Sequence, residues 1–213
     1  MQRPFTVIRL EIGHSIHLGS FREDYETSET LLHSDALYAA IIQAWSNLGV
    51  QHPLVSTVKT HETPDLRFTI SSLFPFFKSA ENAEPVYFFP VPVSGLPLKN
   101  ESLRDRIKHV QWLDAVQFRN LLETGFLKDE KKEFIHGKFY TARTDFKPTF
   151  MQTDLHPRVY VPRAGETDKD NKPVSDTVIY YIERLFFQEG SGLFCLAQFD
   201  DDQILSEVET ALA

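Results

Sequence analysis

The chain has 213 residues, 42% of them hydrophobic, a formal net charge of −8 and one cysteine, Cys195. That length suits one large domain or two small ones, and that hydrophobic share sustains a core. A single cysteine excludes an intrachain disulfide, the want of any apolar run near about 18 residues excludes a membrane-spanning helix, and the overall acidity argues against indiscriminate nucleic-acid binding.

Residues 1–5 carry no signal-like apolar region, so a cytoplasmic protein is expected. The charge is uneven along the chain. Residues 1–98 hold 6 Lys/Arg against 10 Asp/Glu, residues 99–163 hold 13 against 9, and residues 164–213 hold 3 against 11. The middle third is the basic block, read either as a solvated surface or as a selective anion-binding face.

Residues 5–12 alternate well enough to predict a strand with one buried face. Residues 13–33 form a long loop holding three histidines, Gly19, Arg22 and several acids; loops of that length are often functional. The clearest helix is 34–48, with Leu37, Ala40, Ile41, Ala44 and Leu48 on one face, Ser34 as its expected cap and Gly49 at the left-handed position that ends it. Strands are expected at 67–77 and 86–93, with Pro90 and Pro92 placing the second at an edge or leaving the sheet. Residues 99–112 are basic and partly helical, and 114–123 reads as a helix through Val116, Leu121 and Leu122. Residues 134–163 mix aromatic and basic side chains and predict a long twisted hairpin. After a polar, turn-rich loop at 164–175, strands at 177–187 and 192–199 are expected to pair through the turn at 188–191. A helix over 201–213 then closes the chain. A strand followed by a helix also opens the chain, so 191–213 is expected to begin a second, incomplete βα unit after a first domain over 1–190.

Chemistry is sparse. The eight histidines show no metal-ligand spacing, His14 and His17 being the nearest approach, and no phosphate-binding glycine pattern is present. Cys195 lies in an apolar strand and reads as an inert core thiol. His17, His33, Tyr38 and Lys147 offer acid and base groups for a metal-independent ribonuclease, although no spacing selects them. Lys138, Arg143, Lys147, Arg158 and Arg163 interleave with Phe139, Tyr140, Phe146, Phe150 and Tyr160. Such a pattern suits a single strand of RNA, with aromatics stacking bases and cations holding phosphates; it equally suits an amphipathic hairpin whose aromatics fill a core.

Several segments together resemble a known family: 16–19 (IHLG), 26–29 (ETSE), 32–40 (LHSDALYAA), 71–76 (SSLFPF), 87–92 (YFFPVP), and, more loosely, 108–112 and 142–144. The resemblance is to the RAMP-superfamily subunit that caps the crRNA 5′ end in type III-A (Csm) CRISPR effector complexes. It implies an α+β, ferredoxin-like (RRM-type) antiparallel sheet with helices on one face and a projecting β-hairpin thumb, best matched by 134–163. It implies no catalysis by this subunit, and no cofactor or metal is expected. The implied partners are the crRNA 5′ handle, target RNA near the handle, the large polymerase-cyclase subunit and the backbone RAMP subunit, with no membrane. His17, Gly19, Arg22 and His33 would lie near RNA, joined by Lys138, Arg143, Lys147 and Arg158 from the basic block. The alternatives are a processing endoribonuclease of the same superfamily and a protein scaffold with little RNA contact. The family also has a second ferredoxin-like half with a glycine-rich loop, which this sequence does not reach, so a fragment or a chain completed by another polypeptide is expected.

Overall fold

The computed structural model describes residues 4–19, 26–50, 68–99, 101–163, 167 and 177–213. The expectations for Arg22, for 51–67 and for most of 164–175 lie outside them. In chain order the elements are β1 (Thr6–Glu11), α1 (Ser34–Leu48), β2 (Phe68–Ile70), β3 (Phe74–Phe77), β4 (Val86–Pro90), α2 (Arg104–Ile107) and β5 (Trp112–Asp114). They continue with α3 (Ala115–Thr124), β6 (Ile135–His136), β7 (Phe139–Tyr140), β8 (Met151–Tyr160), β9 (Val178–Phe187), β10 (Gly192–Phe199) and α4 (Asp202–Leu212).

One sheet runs in the order β1-β10-β3-β4-β5-β7-β6, with β2 also on β10, and a separate two-stranded sheet joins β8 to β9. Every pairing in the large sheet is antiparallel except β5 with β7. β10 therefore lies between β1 and β3, and α4, which follows β10, shares a core with α1. This corrects the division at residue 191. The stretch 191–213 supplies a central strand and a core helix of the first sheet rather than the start of a second unit. It also corrects the expected β9–β10 hairpin: β9 pairs with β8, and the turn at 188–191 carries the chain from one sheet to the other.

Strand alternation puts Leu193, Cys195 and Ala197 on one face of β10, where they meet Leu37, Ile41 and Trp45 of α1 and Ile204 and Val208 of α4. The buried line of α1 is thus i, i+4, i+8 and ends at Trp45; Ala40 and Leu48 point outward, Leu48 at 58% exposure. The indole is fully buried, and its Nε1–H donates to the carbonyl of Glu207 at 2.9 Å, tying α1 to α4. Ser34 is the first helical residue, not the cap. Its N–H donates to Ser72 Oγ at 3.1 Å, so the β2–β3 connection supplies the partner that a capping side chain would have supplied. Gly49 ends the helix at φ 69°, as expected.

Phe194 points to the opposite face, against Phe74, Tyr87 and Phe89, with ring centroids 5.8, 4.7 and 5.5 Å away. Phe89 stacks in turn on Phe118 of α3 at 4.9 Å. Helices therefore cover both faces of the sheet, not one. In α3 the inward residues include Gln117 and Leu121, whereas Val116 and Leu122 are two-thirds exposed. Asp114 caps this helix by accepting from the N–H of Gln117 at 2.8 Å.

Candidate nucleic-acid interface

β8 and β9 form a ten-residue antiparallel ribbon in unbroken register from Met151–Phe187 to Tyr160–Val178. Its inner end is anchored: Leu185 is fully buried, and Met151 and Phe187 pack against the core. Beyond Asp154 and Arg184 most side chains are exposed. The projecting ribbon is thus built from Met151–Tyr160 and Val178–Phe187, a correction to the expected 134–163. Residues 134–150 belong instead to the body, where Phe139, Tyr140, Phe146 and Phe150 are buried, three of them in one cluster with Phe77 and Phe88. Phe146 and Phe150 meet at 5.7 Å and Phe88 and Phe139 at 4.8 Å, both edge to face, so these rings pack on one another inside the body and offer no face to a base. Of the five interleaved aromatics, Tyr160 alone is on the surface, at 39%.

Residues directly opposite in an antiparallel pair share a face. One face of the ribbon thus carries Asp154, His156, Arg158 and Tyr160 beside Arg184, Ile182, Tyr180 and Val178. The other carries Leu155, Pro157 and Val159 beside Glu183, Tyr181 and Ile179. Among the described residues, the ribbon's cations lie on the first face and most of its exposed aliphatic surface on the second. His156 Nε2 lies 3.0 Å from Asp154 Oδ2, which leaves Arg158, farther out, as the outer cation of that face.

The loop expected to reach a ligand grips the base of this ribbon. Ile16 exchanges backbone hydrogen bonds with Leu185 at 3.0 and 2.7 Å. His17 Nδ1–H donates to the carbonyl of Glu183 at 2.8 Å, which fixes the ring. The Glu183 carboxylate accepts from the N–H of Ser28, whose hydroxyl accepts from the N–H of Leu18 at 3.0 Å. Gly19 follows directly, and a Cβ on it would make only ordinary contact, 3.5 Å, with His17 Nε2. The N–H of Glu29 donates to the carbonyl of Leu18 at 2.9 Å, and the Glu29 carboxylate lies 3.8 Å from His33 Nε2 at the start of α1. His17, Gly19 and His33 are therefore brought to one patch. Lys147, exposed, enters the turn that leads into β8, the N–H of Phe150 donating to its carbonyl at 3.0 Å.

The other expected residues separate from this patch. Arg143 is clamped to Asp145 by two bonds, Nε to Oδ1 at 2.9 Å and Nη2 to Oδ2 at 2.8 Å. That pair holds the Asp145 carboxyl well below the usual carboxylate range and keeps the guanidinium engaged. Lys138 lies in the β6–β7 turn, at the sheet edge opposite β1. Sequence reasoning missed Tyr180, Tyr181 and Arg184 because β9 was assigned to the wrong partner. The readable signal was two equal ten-residue strands enclosing a polar loop. Cys195 is fully buried and its thiol is pushed up to about 11 by burial, as befits a packing residue. Among the described residues no group of His, Cys, Asp and Glu is arranged to hold a metal ion, and no helix is long and apolar enough to cross a membrane.

A large mixed sheet, two helices on one face, and a projecting ribbon gripped by the first long loop define an α+β subunit fold of a recognisable kind. No family profile and no curated protein sequence matches the chain. Solved structures do. The Csm4 chain in a Csm1–Csm4 cassette in complex with cA4 matches over 98% of this chain at 19% identity and a TM-score of 0.58. That in a Csm3–Csm4 subcomplex of the type III-A CRISPR–Cas interference complex matches over 97% at 16% identity and 0.56. A further Csm1–Csm4 cassette, in complex with pppApA, matches at 21% identity and 0.52. The chain has the Csm4 fold, so the resemblance read from its sequence holds in three dimensions. It spans 65% of the first of these chains and 62% of the second.

Proposed function

We propose that this chain is a non-catalytic subunit of a type III CRISPR RNA-guided effector complex. It binds the repeat-derived 5′ handle of the crRNA and joins the large polymerase-cyclase subunit, Csm1, to the backbone RAMP subunit, Csm3. The observation that carries the reading is the likeness to Csm4 across 97–98% of the chain, in one structure with Csm1 and in another with Csm3. The succession β1–α1–β3 with β10 between them, followed by α4, supports a ferredoxin-like, RRM-type core. In this reading the patch of His17, Gly19 and His33 faces the handle. The β8–β9 ribbon is the thumb, and its Arg158 face meets guide and target RNA next to the handle. An exposed cation and tyrosines on one face suit backbone contact and stacking.

The ribonuclease alternative finds less support. Tyr38 stacks on Phe68 at 5.5 Å and burial raises its hydroxyl pKa, while His17 commits Nδ1 to a backbone carbonyl. Co-expression of the tagged chain with Csm1, Csm3 and crRNA tests the proposal. The chain is expected to co-purify with both proteins, to bind handle-bearing RNA in preference to a scrambled handle, and to leave precursor repeat RNA intact in EDTA. Arg158→Glu should weaken binding of guide–target RNA. Specific cleavage abolished by His17→Ala would replace this reading with the enzyme.

A further inference from the structure

The short helix α2 presents three faces. Leu103, Ile107 and Val110 are buried, the last two in a cluster with Leu113 and Tyr140. Arg104 and Lys108, four residues apart and so on one side, line a cavity of about 500 Å³ whose walls include Val91, Leu96, Leu98 and Ile107. Asp105, Arg106 and His109 turn the other way. They line a second concavity of about 430 Å³ together with Ile135 and Lys138. Lys138 is held there by its own backbone, its carbonyl accepting from the N–H groups of Gln111 and Trp112 at 2.8 and 3.0 Å. Each concavity has two Lys/Arg against one carboxylate: Glu101 in the first, and in the second Asp105, which also lies 3.3 Å from Lys108.

We propose that these two concavities, on either side of α2, form a path for single-stranded nucleotides. A base seats against the aliphatic wall of Leu96 and Leu98 with its phosphate on Arg104 and Lys108. The next unit crosses α2 to stack on His109, with its phosphate on Arg106 and Lys138. The carrying observation is two pairs of cations on adjacent sides of one turn, each beside a hollow, the first walled by aliphatic side chains and the second by the His109 ring and Ile135, in a chain that is acidic overall. A nucleotide strand repeats that same unit of flat apolar base and anionic phosphate. The volumes lie in the range of small-ligand sites. None of these residues belongs to the ribbon patch. The inference rests on the RNA-binding reading only for the class of polymer.

The test uses the full chain, a short labelled oligoadenylate with no handle sequence, and adenosine monophosphate as the free-nucleotide arm. Arg104→Glu/Lys108→Glu and Arg106→Glu/Lys138→Glu replace exposed side chains, and thermal melting confirms that both variants fold. Each should weaken the oligonucleotide about tenfold, and each should lower the salt slope by about 1.4, at ~0.7 per phosphate lost on a single strand. Leu98→Asp, which leaves the cations in place, should weaken it about fivefold or more by denying the base its wall. Mononucleotide binding with the same sensitivity to Arg104→Glu/Lys108→Glu supports the site with a free nucleotide as its source. Unchanged affinity for both ligands in both double variants overturns the proposal. So does a double variant that keeps its RNA affinity but releases a co-purifying protein, which would make the cavity a peptide site. Handle-specific binding that depends on the ribbon and survives these variants leaves the proposed function standing without this path.

Discussion

Gly192 opens β10 directly opposite Glu11 of β1, and a side chain there has no room. A Cβ would overlap the backbone carbonyl of Leu10, which cannot swing aside as a flexible side chain could. Gly192→Ala is therefore expected to part the end of the β1–β10 ladder and to cost about 1–3 kcal/mol or more. For a chain of this length that is about 2–4 °C in Tm per kcal/mol, measured by thermal melting. A melt like that of the parent chain would show that the two strands do not approach so closely. The Arg143–Asp145 clamp makes a prediction of a different kind. Its partners are 44% and 37% exposed, so solvent screens it and its value is about 0.5–1 kcal/mol. The folded Asp145 carboxyl titrates below its unfolded value, so the stabilisation is complete at neutral pH. It fades as pH falls below the ordinary carboxylate range of about 4. Asp145→Asn should lose that share at pH 7 and show a correspondingly shallower loss of stability between about pH 4 and 2. Parallel acid titrations of the two proteins would refute this. Because the guanidinium is engaged, Arg143→Ala should leave RNA binding nearly unchanged, whereas Lys147→Glu should weaken it.

Among the elements, α1 and α4 stand or fall together through Trp45. The indole is fully buried between Ile41, Phe68 and the α4 backbone, and its N–H bonds to the Glu207 carbonyl. Trp45→Ala leaves a large cavity and removes the indole bond to α4, and is expected to cost about 3–5 kcal/mol. Trp45→Phe keeps most of the volume and should cost clearly less. Equal losses in the two variants, measured by denaturant unfolding, would remove the packing explanation. The helix itself was readable from sequence, because its period is a local property. Its exact inward line was not, since alanines at i+3 and i+7 look as apolar as a tryptophan at i+8 until the sheet beneath is known. The strands show the same limit. β1, β4, β9 and β10 were legible as strands from alternation, but partnership is non-local. β9 and β10 are separated by a tight turn and still enter different sheets, because β10 is wanted between β1 and β3. The aromatics of 134–150 failed for a related reason: alternation with cations looks alike whether the rings meet bases or each other.

At the scale of the whole molecule, the proposed function divides stability and recognition between body and ribbon. The body holds the described core clusters, and the ribbon joins it through Met151, Leu185 and Phe187 and through the hydrogen bonds of Ile16, His17 and Ser28 to Glu183 and Leu185. Those anchors end at the Leu155–Glu183 pair. Replacing residues 156–182 by an Asn-Gly turn would close the shortened ribbon with a hairpin connection its twist accepts. Most of the described side chains that are lost are exposed, including Val159 at 57%, Ile179 at 63% and Tyr181 at 42%. The truncated chain is expected to melt within a few degrees of the parent, because little buried apolar area goes with the ribbon. On the proposed function, which assigns the crRNA handle to the base patch of His17, Gly19 and His33, it should keep its grip on the handle and lose contact with guide–target RNA beyond it. Footprinting of a crRNA–target hybrid on the assembled complex separates the two regions. A collapse of the melting temperature would mean that the ribbon is part of the core. Loss of the handle footprint alone would exchange the roles of tip and base, and would move the search for the handle's partners from the loop at 13–19 out to Arg158 and Tyr180.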